Sequence, residues 1–101
     1  MILIFVSFEE KEHAEIVANY LIDKKLAACV SFMPVQSVYI WDGKKSQNQE
    51  IEAIIKTTEE KFEAIEKAIK ELVSYDIPQI ISVKAEKVQD KYMQWVKDAV
   101  S

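Results

Sequence analysis

The hydrophobic positions of this chain follow two periodicities, one typical of strands and one typical of helices. Ile2–Val6 (ILIFV) is apolar at odd and even positions alike, which predicts a strand buried on both faces. After it, apolar residues recur at intervals of three and four and predict an amphipathic helix. The residues of this apolar stripe are Ala14, Val17, Ala18, Leu21 and Ile22.

The middle of the chain is predicted to form a long β-hairpin. Residues 29–41 are rich in β-branched and aromatic side chains, and residues 42–45 (DGKK) are typical of a turn. Residues 50–56 alternate and then become more apolar, which predicts the returning strand. Pro34 lies inside the first strand and cannot donate a ladder hydrogen bond, so we expect a bend, a bulge or an edge strand there.

The last part of the chain is predicted to contain a helix, a strand and a short terminal helix. Thr58 followed by acidic residues indicates a helix start. The helical period then continues through Phe62, Ile65, Ala68, Ile69 and Leu72. Pro78 ends this region, residues 80–85 predict the fourth strand, and another helix follows Asp90.

The predicted order is β-α-β-β-α-β with an additional C-terminal helix, an α+β fold of the ferredoxin-like type with one antiparallel sheet. Both main helices of such a fold cover one face of the sheet. The other face is left bare, although the first strand is apolar on both sides and Val30, Phe32, Ile54 and Ile55 add to the apolar excess of the sheet. Because a large uncovered apolar face is unusual on a monomer, self-association is favoured over a covering by the terminal helix.

Composition limits the classes of function. The chain has 101 residues, 50% hydrophobic and 30% charged, so residues 1–101 are predicted to form a single domain. All 13 basic residues are lysine and the net charge is -4, so no nucleic-acid partner is expected. The apolar opening lacks a charged n-region and is too short to span a bilayer, which predicts a cytoplasmic protein with no membrane partner.

Candidate chemical groups are few, and no catalytic constellation indicates an enzyme. His13 is the only histidine and lies among charged residues, which predicts a solvated surface side chain. The single glycine, Gly43, excludes a glycine-rich phosphate loop. A thiolate favours Cu(I) or Zn²⁺, but Cys29 has no CxxC partner. A buried apolar cysteine and a ligand shared between copies of the chain both remain open, with Met33 on the same strand face if no bulge intervenes.

Several aromatic residues with polar tips accompany one lysine in the predicted elements. They are Tyr39, Trp41, Lys56, Tyr75, Tyr92 and Trp95. Tyrosine and tryptophan favour interfaces and pocket rims because they bury an apolar body while their OH or NH needs a partner. Core packing explains each of these residues singly, and an intersubunit groove explains them together; the pattern leaves both interpretations open.

Motifs in chain order resemble the CutA divalent-cation tolerance family. After Leu26–Val30 (LAACV), Ser37–Lys44 (SVYIWDGK) resembles the family's S-[IV]-Y-x-W-x-G-[KE]. Ile54–Thr57 (IIKT) resembles its apolar-I-K-T, and Tyr75–Ile81 (YDIPQII) is similar to its Y-x-x-P-E-I-I. Tyr92–Val96 (YMQWV) resembles the closing Y-L-x-W-[IV]. Since the motifs follow in the family's order from residue 26 to residue 96, the match is specific.

The resemblance implies a ferredoxin-like subunit in a homotrimer similar to the PII signalling proteins, with long hairpins extending between neighbours. It also implies a role in divalent-cation tolerance and metal response, with copper or another divalent metal bound at Cys29. No organic cofactor and no established enzymatic reaction are implied. The positions expected near clefts between subunits, where a metal ion or an unknown small ligand binds, are Trp41, Lys56, Tyr75, Pro78, Gln79 and Tyr92.

Three departures from the family pattern affect this site. Val73–Tyr75 (VSY) stands where many relatives read H-P-Y, which removes an imidazole. Gln79 replaces the common glutamate and its charge, and Phe8 stands where some relatives have a cysteine. The trimer is compatible with all three changes, whereas a complete metal cage is not expected.

Two other functions share the predicted topology. The alternative is an acyl phosphate hydrolase using an intersubunit cleft, but its phosphate-binding loop usually carries arginine, and Lys56 is a poor substitute. An RNA-binding domain needs stacking aromatics on its central strands, and Phe5 is the only one on the first strand. Separately, a surface rich in lysine and glutamate, with one glycine, is similar in composition to hyperthermophile proteins and predicts a thermostable protein.

Overall fold

The computed structural model describes residues 1–101, and its helices and strands follow the predicted order. The strands are β1 (Ile2–Phe8), β2 (Cys29–Trp41), β3 (Lys44–Thr57) and β4 (Ile80–Lys84). The helices are α1 (Lys11–Asp23), α2 (Phe62–Leu72) and α3 (Asp90–Ala99), and a 3-10 turn at Glu59–Lys61 precedes α2. None of the helices is both long and apolar enough to cross a lipid bilayer.

The four strands form one antiparallel sheet in the order β2-β3-β1-β4, which is the ferredoxin-like arrangement. β1 is central and pairs with both β3 and β4. The pairing of β2 with β3 advances one residue at a time from Cys29–Lys56 to Trp41–Lys44, without a bulge. Of the three expectations for Pro34 the edge strand is confirmed, since β2 has one neighbour and an edge tolerates a residue without an N–H.

The hairpin is closed by Asp42 and Gly43, whose φ angles are 53° and 74°. A two-residue turn with positive φ at both central positions has the type I′ geometry, which matches the twist of the flanking strands. Aspartate followed by glycine favours this turn because glycine enters the left-handed region without a Cβ clash. The returning strand is longer than the predicted residues 50–56, because residues 44–49 also pair with β2.

The hydrophobic core lies between one face of the sheet and the helices α1 and α2. β1 contributes its alternate residues Ile2, Ile4, Val6 and Phe8, each at most 3% exposed. The helices contribute residues at the predicted spacing, namely Ala14, Val17, Leu21, Ile65, Ala68 and Ile69. Burial of these side chains stabilises the folded chain by roughly 25 cal/mol per Å² of apolar surface removed from water. This free energy holds both helices on this face of the sheet.

The opposite face of the sheet is only partly covered. Its register places Phe5 between Ile54 and Ile81, with Leu3 beside Val83. Ile81 is 53% exposed and Val83 is 47% exposed, while the β1 side chains are half-buried. Burial of β1 on both faces is therefore wrong for a single chain, since α3 contacts β3 but leaves the β4 side of this face open.

Two local expectations also differ from the structure. Thr58 takes the N-cap position of the 3-10 turn rather than of α2, and its hydroxyl makes no capping hydrogen bond. Ile22 is predicted on the buried stripe of α1 but is 43% exposed. The buried stripe of α1 is narrower than the apolar stripe predicted from the sequence. Ile22 lies beside the buried stripe, one residue before the helix ends at Asp23.

The β2–β3 hairpin extends beyond the end of β1. β1 pairs with β3 only from Thr57 to Ile51. Residues 35–50 therefore form a two-stranded ribbon, here called the hairpin ribbon, with no third strand beside it. The ribbon makes the molecule elongated, with principal dimensions of 45 × 27 × 20 Å.

Candidate functional site

A cleft opens where the hairpin ribbon leaves the end of β1. Its volume is about 590 Å³, within the range of roughly 300–1,000 Å³ found for small-molecule sites. The residues of the sheet wall are Ser7 and Glu9 near the end of β1, Ser37, Tyr39 and Trp41 on β2, and Glu50 on β3. The β2 residues have alternate numbers, so they share one face of the ribbon.

The second wall is the loop between α2 and β4. Residues 74–77 and Gln79 line the cleft from this loop. β4 begins opposite Val6, near the C-terminal end of β1, so its register brings the loop to the end of the sheet that carries the ribbon. Pro78, a predicted cleft residue, is half-buried in the same loop but does not line the cavity.

Tyr75 connects this loop to the start of α1 through its hydroxyl group. The backbone N–H of Glu9 donates to Tyr75 Oη at 3.0 Å. The same oxygen is 2.6 Å from Nδ1 of His13, and the two ring centroids are 5.7 Å apart. We assign the tyrosine as the donor to Nδ1 of His13, and Nε2 of the same ring is 3.5 Å from Oε2 of Glu10.

The position of His13 corrects the sequence-based prediction of a solvated side chain. Its side chain is 32% exposed and is hydrogen-bonded to Tyr75. Because Tyr75 is 62 residues away in the chain, no local pattern indicates this contact. Val73, where the family pattern has a histidine, is 6% exposed and belongs to the hydrophobic core in this chain.

The hydroxyl of Tyr75 is held in its neutral form. Burial raises the pKa of Tyr75 above its ordinary value of 10.0, and the negative charges of Glu9, Glu10 and Glu50 raise it further. The hydrogen bond from the Glu9 N–H acts in the opposite direction, because it stabilises the phenolate. The influence of three carboxylates on one hydroxyl indicates a negative potential at this side of the cleft.

Gln79 joins the loop to the sheet. Its Nε2 donates to Oε2 of Glu52 on β3 at 3.0 Å. A glutamate in place of Gln79 would bring two carboxylates together and disfavour the charge on both. The neutral amide of Gln79 therefore fits this position, because it donates a hydrogen bond to the Glu52 carboxylate without adding a second negative charge.

The cleft as a whole is acidic and aromatic. Its carboxylates are Glu9, Glu50 and Asp76, and its aromatic rings are Tyr39, Trp41 and Tyr75. No lysine, arginine or histidine is among its 11 lining residues. Such a surface can accept hydrogen bonds and attract positive charge, whereas it offers no cationic group to an anion.

Two predicted site residues lie at the other end of the sheet. Cys29 pairs with Lys56 at the start of the β2–β3 ladder, and Trp41 pairs with Lys44 at its end. Cys29 and Trp41 are therefore twelve residues apart on one strand, roughly 40 Å at about 3.3 Å per residue. A single chain brings Trp41 to the cleft but keeps Lys56 and Cys29 away from it.

Tyr92 is also outside the cleft. It lies on α3, where the centroid of its ring is 5.5 Å from that of Trp95. Its backbone N–H donates to the side chain of Gln89, which caps the helix at 2.8 Å. α3 follows β4, whose last residue Lys84 pairs with Ile2, so this helix starts from the end of the sheet that carries Lys56.

Cys29 has no second metal ligand within the chain. Its Sγ is 3.8 Å from Oγ of Ser31. Met33 shares its strand face, since no bulge intervenes, but four residues of strand separate the two by roughly 13 Å. No three side chains of His, Cys, Asp or Glu are grouped closely enough to hold a metal ion. A metal site at Cys29 therefore requires ligands from other copies of the chain.

Proteins of one family are similar to this chain along nearly its whole length. The model of the CutA1 divalent ion tolerance protein family matches residues 2–99. The divalent-cation tolerance protein CutA of Pyrococcus horikoshii is 35% identical over 96 residues, which cover 95% of this chain and 94% of that protein. The protein of the same name from Thermotoga maritima is 36% identical over 100 residues, 99% of each chain.

A solved structure shows the same similarity in three dimensions. The periplasmic divalent cation tolerance protein CutA from Archaeoglobus fulgidus superposes with a TM-score of 0.96 at 33% sequence identity, and each chain is covered to 100%. The ferredoxin-like sheet order, the motifs and these similarities agree. The chain belongs to the CutA1 divalent ion tolerance protein family.

Proposed function

We propose that this CutA-type divalent-cation tolerance protein acts as a homotrimeric binding and signalling module that responds to a metal ion. The observation that carries the proposal is the open sheet face, formed by Leu3, Phe5, Ile54, Ile81 and Val83. An apolar surface of this kind marks an interaction site on a soluble protein. In a cyclic trimer each copy covers part of the open sheet face of its neighbour.

A matched pair of substitutions tests the trimer. Ile81, on the open sheet face, and Ile16, on the outer side of α1, are both 53% exposed in the single chain. We expect sedimentation equilibrium to give three times the chain mass of 11.7 kDa for the unchanged protein and for Ile16→Glu. Ile81→Glu should dissociate, because association would bury its charge unpaired. A monomeric unchanged protein would refute the trimer.

The elongated shape of the chain supports a role for the neighbouring copy in completing the site. Trp41, Tyr75 and Gln79 lie at one end of the sheet, and Lys56 and Tyr92 at the other. A head-to-tail interface places the end of one copy that carries Lys56 and Tyr92 near the cleft of the next copy. In this arrangement the hairpin ribbon of each subunit extends along its neighbour, with Pro78 shaping the loop at the rim.

The metal proposal assigns Cys29 as a ligand contributed by several copies. Its side chain shares a strand face with the half-buried residues of the open sheet face, since Cys29 pairs with Lys56 and Lys56 with Leu3. Symmetry would therefore supply the additional thiolates that one chain lacks. Thiolate ligands favour Cu(I) over harder divalent ions, so copper is the metal we propose first.

Calorimetric titration of the reduced protein with Cu(I) tests this assignment. We expect saturable binding that is lost in Cys29→Ser, which keeps the size and polarity of the side chain but removes the soft ligand. Ser82→Ala, which removes a hydroxyl from an exposed residue of β4 away from Cys29, is the control and should bind as the unchanged protein does. Equal Cu(I) affinity in Cys29→Ser would remove Cys29 from the metal site.

The other interpretations gain no observation in their favour. Lys56, a poor substitute for the arginine of an acyl phosphate hydrolase, lies outside the acidic cleft of its own chain. The carboxylates that line the cleft repel the negative charges of phosphate groups, so they disfavour both phosphate and nucleic acid as ligands. We propose a non-enzymatic protein of the cytoplasm, to be tested by cell fractionation; the Archaeoglobus fulgidus relative is described as periplasmic.

A further inference from the structure

We propose that an ion pair between Lys56 of one copy and Glu52 of the next fixes the direction in which copies of the chain associate. The inference deepens the proposed function and rests on it in one respect, namely that association covers the open sheet face. It names the cation that each copy contributes to its neighbour and the carboxylate that receives this cation. Its basis is the position of unpaired charges at the two ends of the open sheet face.

β3 places both charged side chains on the open sheet face. Its even-numbered residues share the face of Ile54, because side chains alternate along a strand. The register sets Lys56 opposite Leu3 and Glu52 opposite Ser7. The open sheet face is therefore apolar in its middle, with an ammonium group at one end and a carboxylate at the other.

Neither charge has an oppositely charged partner within the chain. The two ion pairs of the chain lie at its helices and involve neither Lys56 nor Glu52. Four residues of strand separate these two, roughly 13 Å at about 3.3 Å per residue, and Ile54 lies between them on the same face. Both side chains are already half-buried in the single chain, so a covering neighbour would remove them further from water.

Covering the open sheet face therefore makes a partner for each charge a requirement. A charge that leaves water without an opposite charge beside it destabilises the assembly. If the Lys56 ends of two copies met, like charges would repel each other. Head-to-tail contact sets the lysine of one copy against the glutamate of the next, so charge complementarity selects this direction.

Gln79 prepares the receiving carboxylate. Its Nε2 donates to Oε2 of Glu52 at 3.0 Å, which orients the carboxylate and leaves Oε1 available to an ammonium group. The family pattern has a glutamate at residue 79, whereas here β3 supplies the carboxylate and the amide of Gln79 holds it. Glu50, half-buried and two residues along the same strand face, adds negative potential at this end.

Partners other than a second copy satisfy only one of the two charges. A free anion such as phosphate could neutralise Lys56 but would leave Glu52 unpaired under the covered face. A cation from solution would do the reverse, and no three side chains of His, Cys, Asp or Glu are grouped to hold a metal ion there. A neighbouring copy in head-to-tail contact satisfies both charges at once.

Charge reversal followed by sedimentation equilibrium tests the proposal. Lys56→Glu and Glu52→Lys each place like charges at the interface, and each should raise the protein concentration needed for association roughly tenfold or more. The double variant, Lys56→Glu with Glu52→Lys, recreates the pair with its members exchanged. It should associate within roughly threefold of the unchanged protein. Glu63→Lys, an equal reversal on the exposed face of α2, is the matched control and should have no effect.

Neutral variants keep the test decisive if a reversed chain folds poorly. Lys56→Met and Glu52→Gln remove the charges with little change in side-chain size, and circular dichroism verifies that each variant is folded. In a double-mutant cycle, the second substitution should weaken association less when the first is already present, because the paired charge is then absent. Additive effects of the two substitutions would overturn the ion pair.

The outcomes separate the ion pair from the trimer. A trimer that neither reversal weakens, or one that the double variant does not restore, would overturn the ion pair and leave the trimer standing. A dimer that the double variant restores would support the ion pair and refute the trimer. A monomeric unchanged protein would overturn both.

Discussion

Tyr75 shows how single residues in this protein acquire properties that their neighbours in the chain do not confer. Its hydroxyl lies between the N–H of Glu9 and Nδ1 of His13, and nearby carboxylates add negative charge. Burial and this charge both favour the neutral phenol. The residue therefore acts as a fixed hydrogen-bonding link between α1 and the loop that lines the cleft.

Replacement of this tyrosine should change stability in a pH-dependent way. We expect Tyr75→Phe to lower the free energy of unfolding by roughly 1 kcal/mol at neutral pH, because two hydrogen bonds lose a partner. The pKa of Tyr75 is higher in the folded chain than its ordinary value of 10.0. Its contribution is therefore fully present below that pH and is lost as the pH rises through the folded-state pKa.

Urea denaturation at neutral pH and at about pH 11 measures this effect. The difference in stability between the unchanged protein and Tyr75→Phe should shrink at the higher pH. Tyr20→Phe serves as the control, since Tyr20 lies on the outer side of α1 and its hydroxyl has no hydrogen bond to the protein. A difference that stays constant or grows with pH would contradict the proposed environment of Tyr75.

Among the structural elements, the hairpin ribbon determines where the cleft forms. The ribbon exists because β2 and β3 continue pairing for residues 35–50 after β1 has ended. Within one chain no helix or third strand supports it, so its stability before association depends on its own ladder and on the turn at Asp42 and Gly43. Elements with so few tertiary contacts open locally more readily than a core.

A substitution in the turn should loosen the ribbon without unfolding the core. Gly43 has φ of 74°, and a Cβ at this residue would meet no atom within 4 Å, so Gly43→Ala causes backbone strain but no clash. The expected cost is roughly 1–2 kcal/mol, seen as faster hydrogen exchange of residues 35–50. Gly43→Asn should be milder, because asparagine tolerates this conformation. If residues 35–50 exchange at the same rates in Gly43→Ala as in the unchanged protein, the proposed role of the turn is contradicted.

The accuracy of the sequence-based predictions also differs by element. The order of strands and helices, the turn and the edge position of Pro34 follow from local patterns and are confirmed. Within one chain Trp41, Tyr75 and Gln79 line the cleft and Lys56 lies elsewhere, so the predicted site between subunits stays a prediction. Which predicted residues meet depends on the strand register, which no short motif reveals.

For the whole molecule, stability is expected to come from association more than from surface ion pairs. A surface rich in lysine and glutamate can form ion-pair networks, yet the chain forms one lysine–carboxylate pair, Lys70 with Glu66 at 3.3 Å. An exposed pair contributes at most about 1 kcal/mol. The open sheet face can contribute more, because its apolar side chains leave water when copies of the chain associate.

Calorimetry at two protein concentrations tests this source of stability. We expect a Tm above the ~45–65 °C range of mesophile domains, and a higher Tm at the higher concentration, since association stabilises the folded state by mass action. Ile81→Glu should lower the Tm and remove its concentration dependence. Unfolding near 50 °C, within the mesophile range, would contradict the prediction of a thermostable protein.

The sequence by itself determined the elements, their order and the family, because hydrophobic periodicity and turn chemistry act over a few residues and leave a local pattern. Tertiary structure alone decided that His13 contacts Tyr75, that the cleft is acidic and aromatic, and that Cys29 lies at the far end of the sheet. These features depend on register and on contacts between distant segments. Their energies arise only when the chain has folded, so no single stretch of residues encodes them.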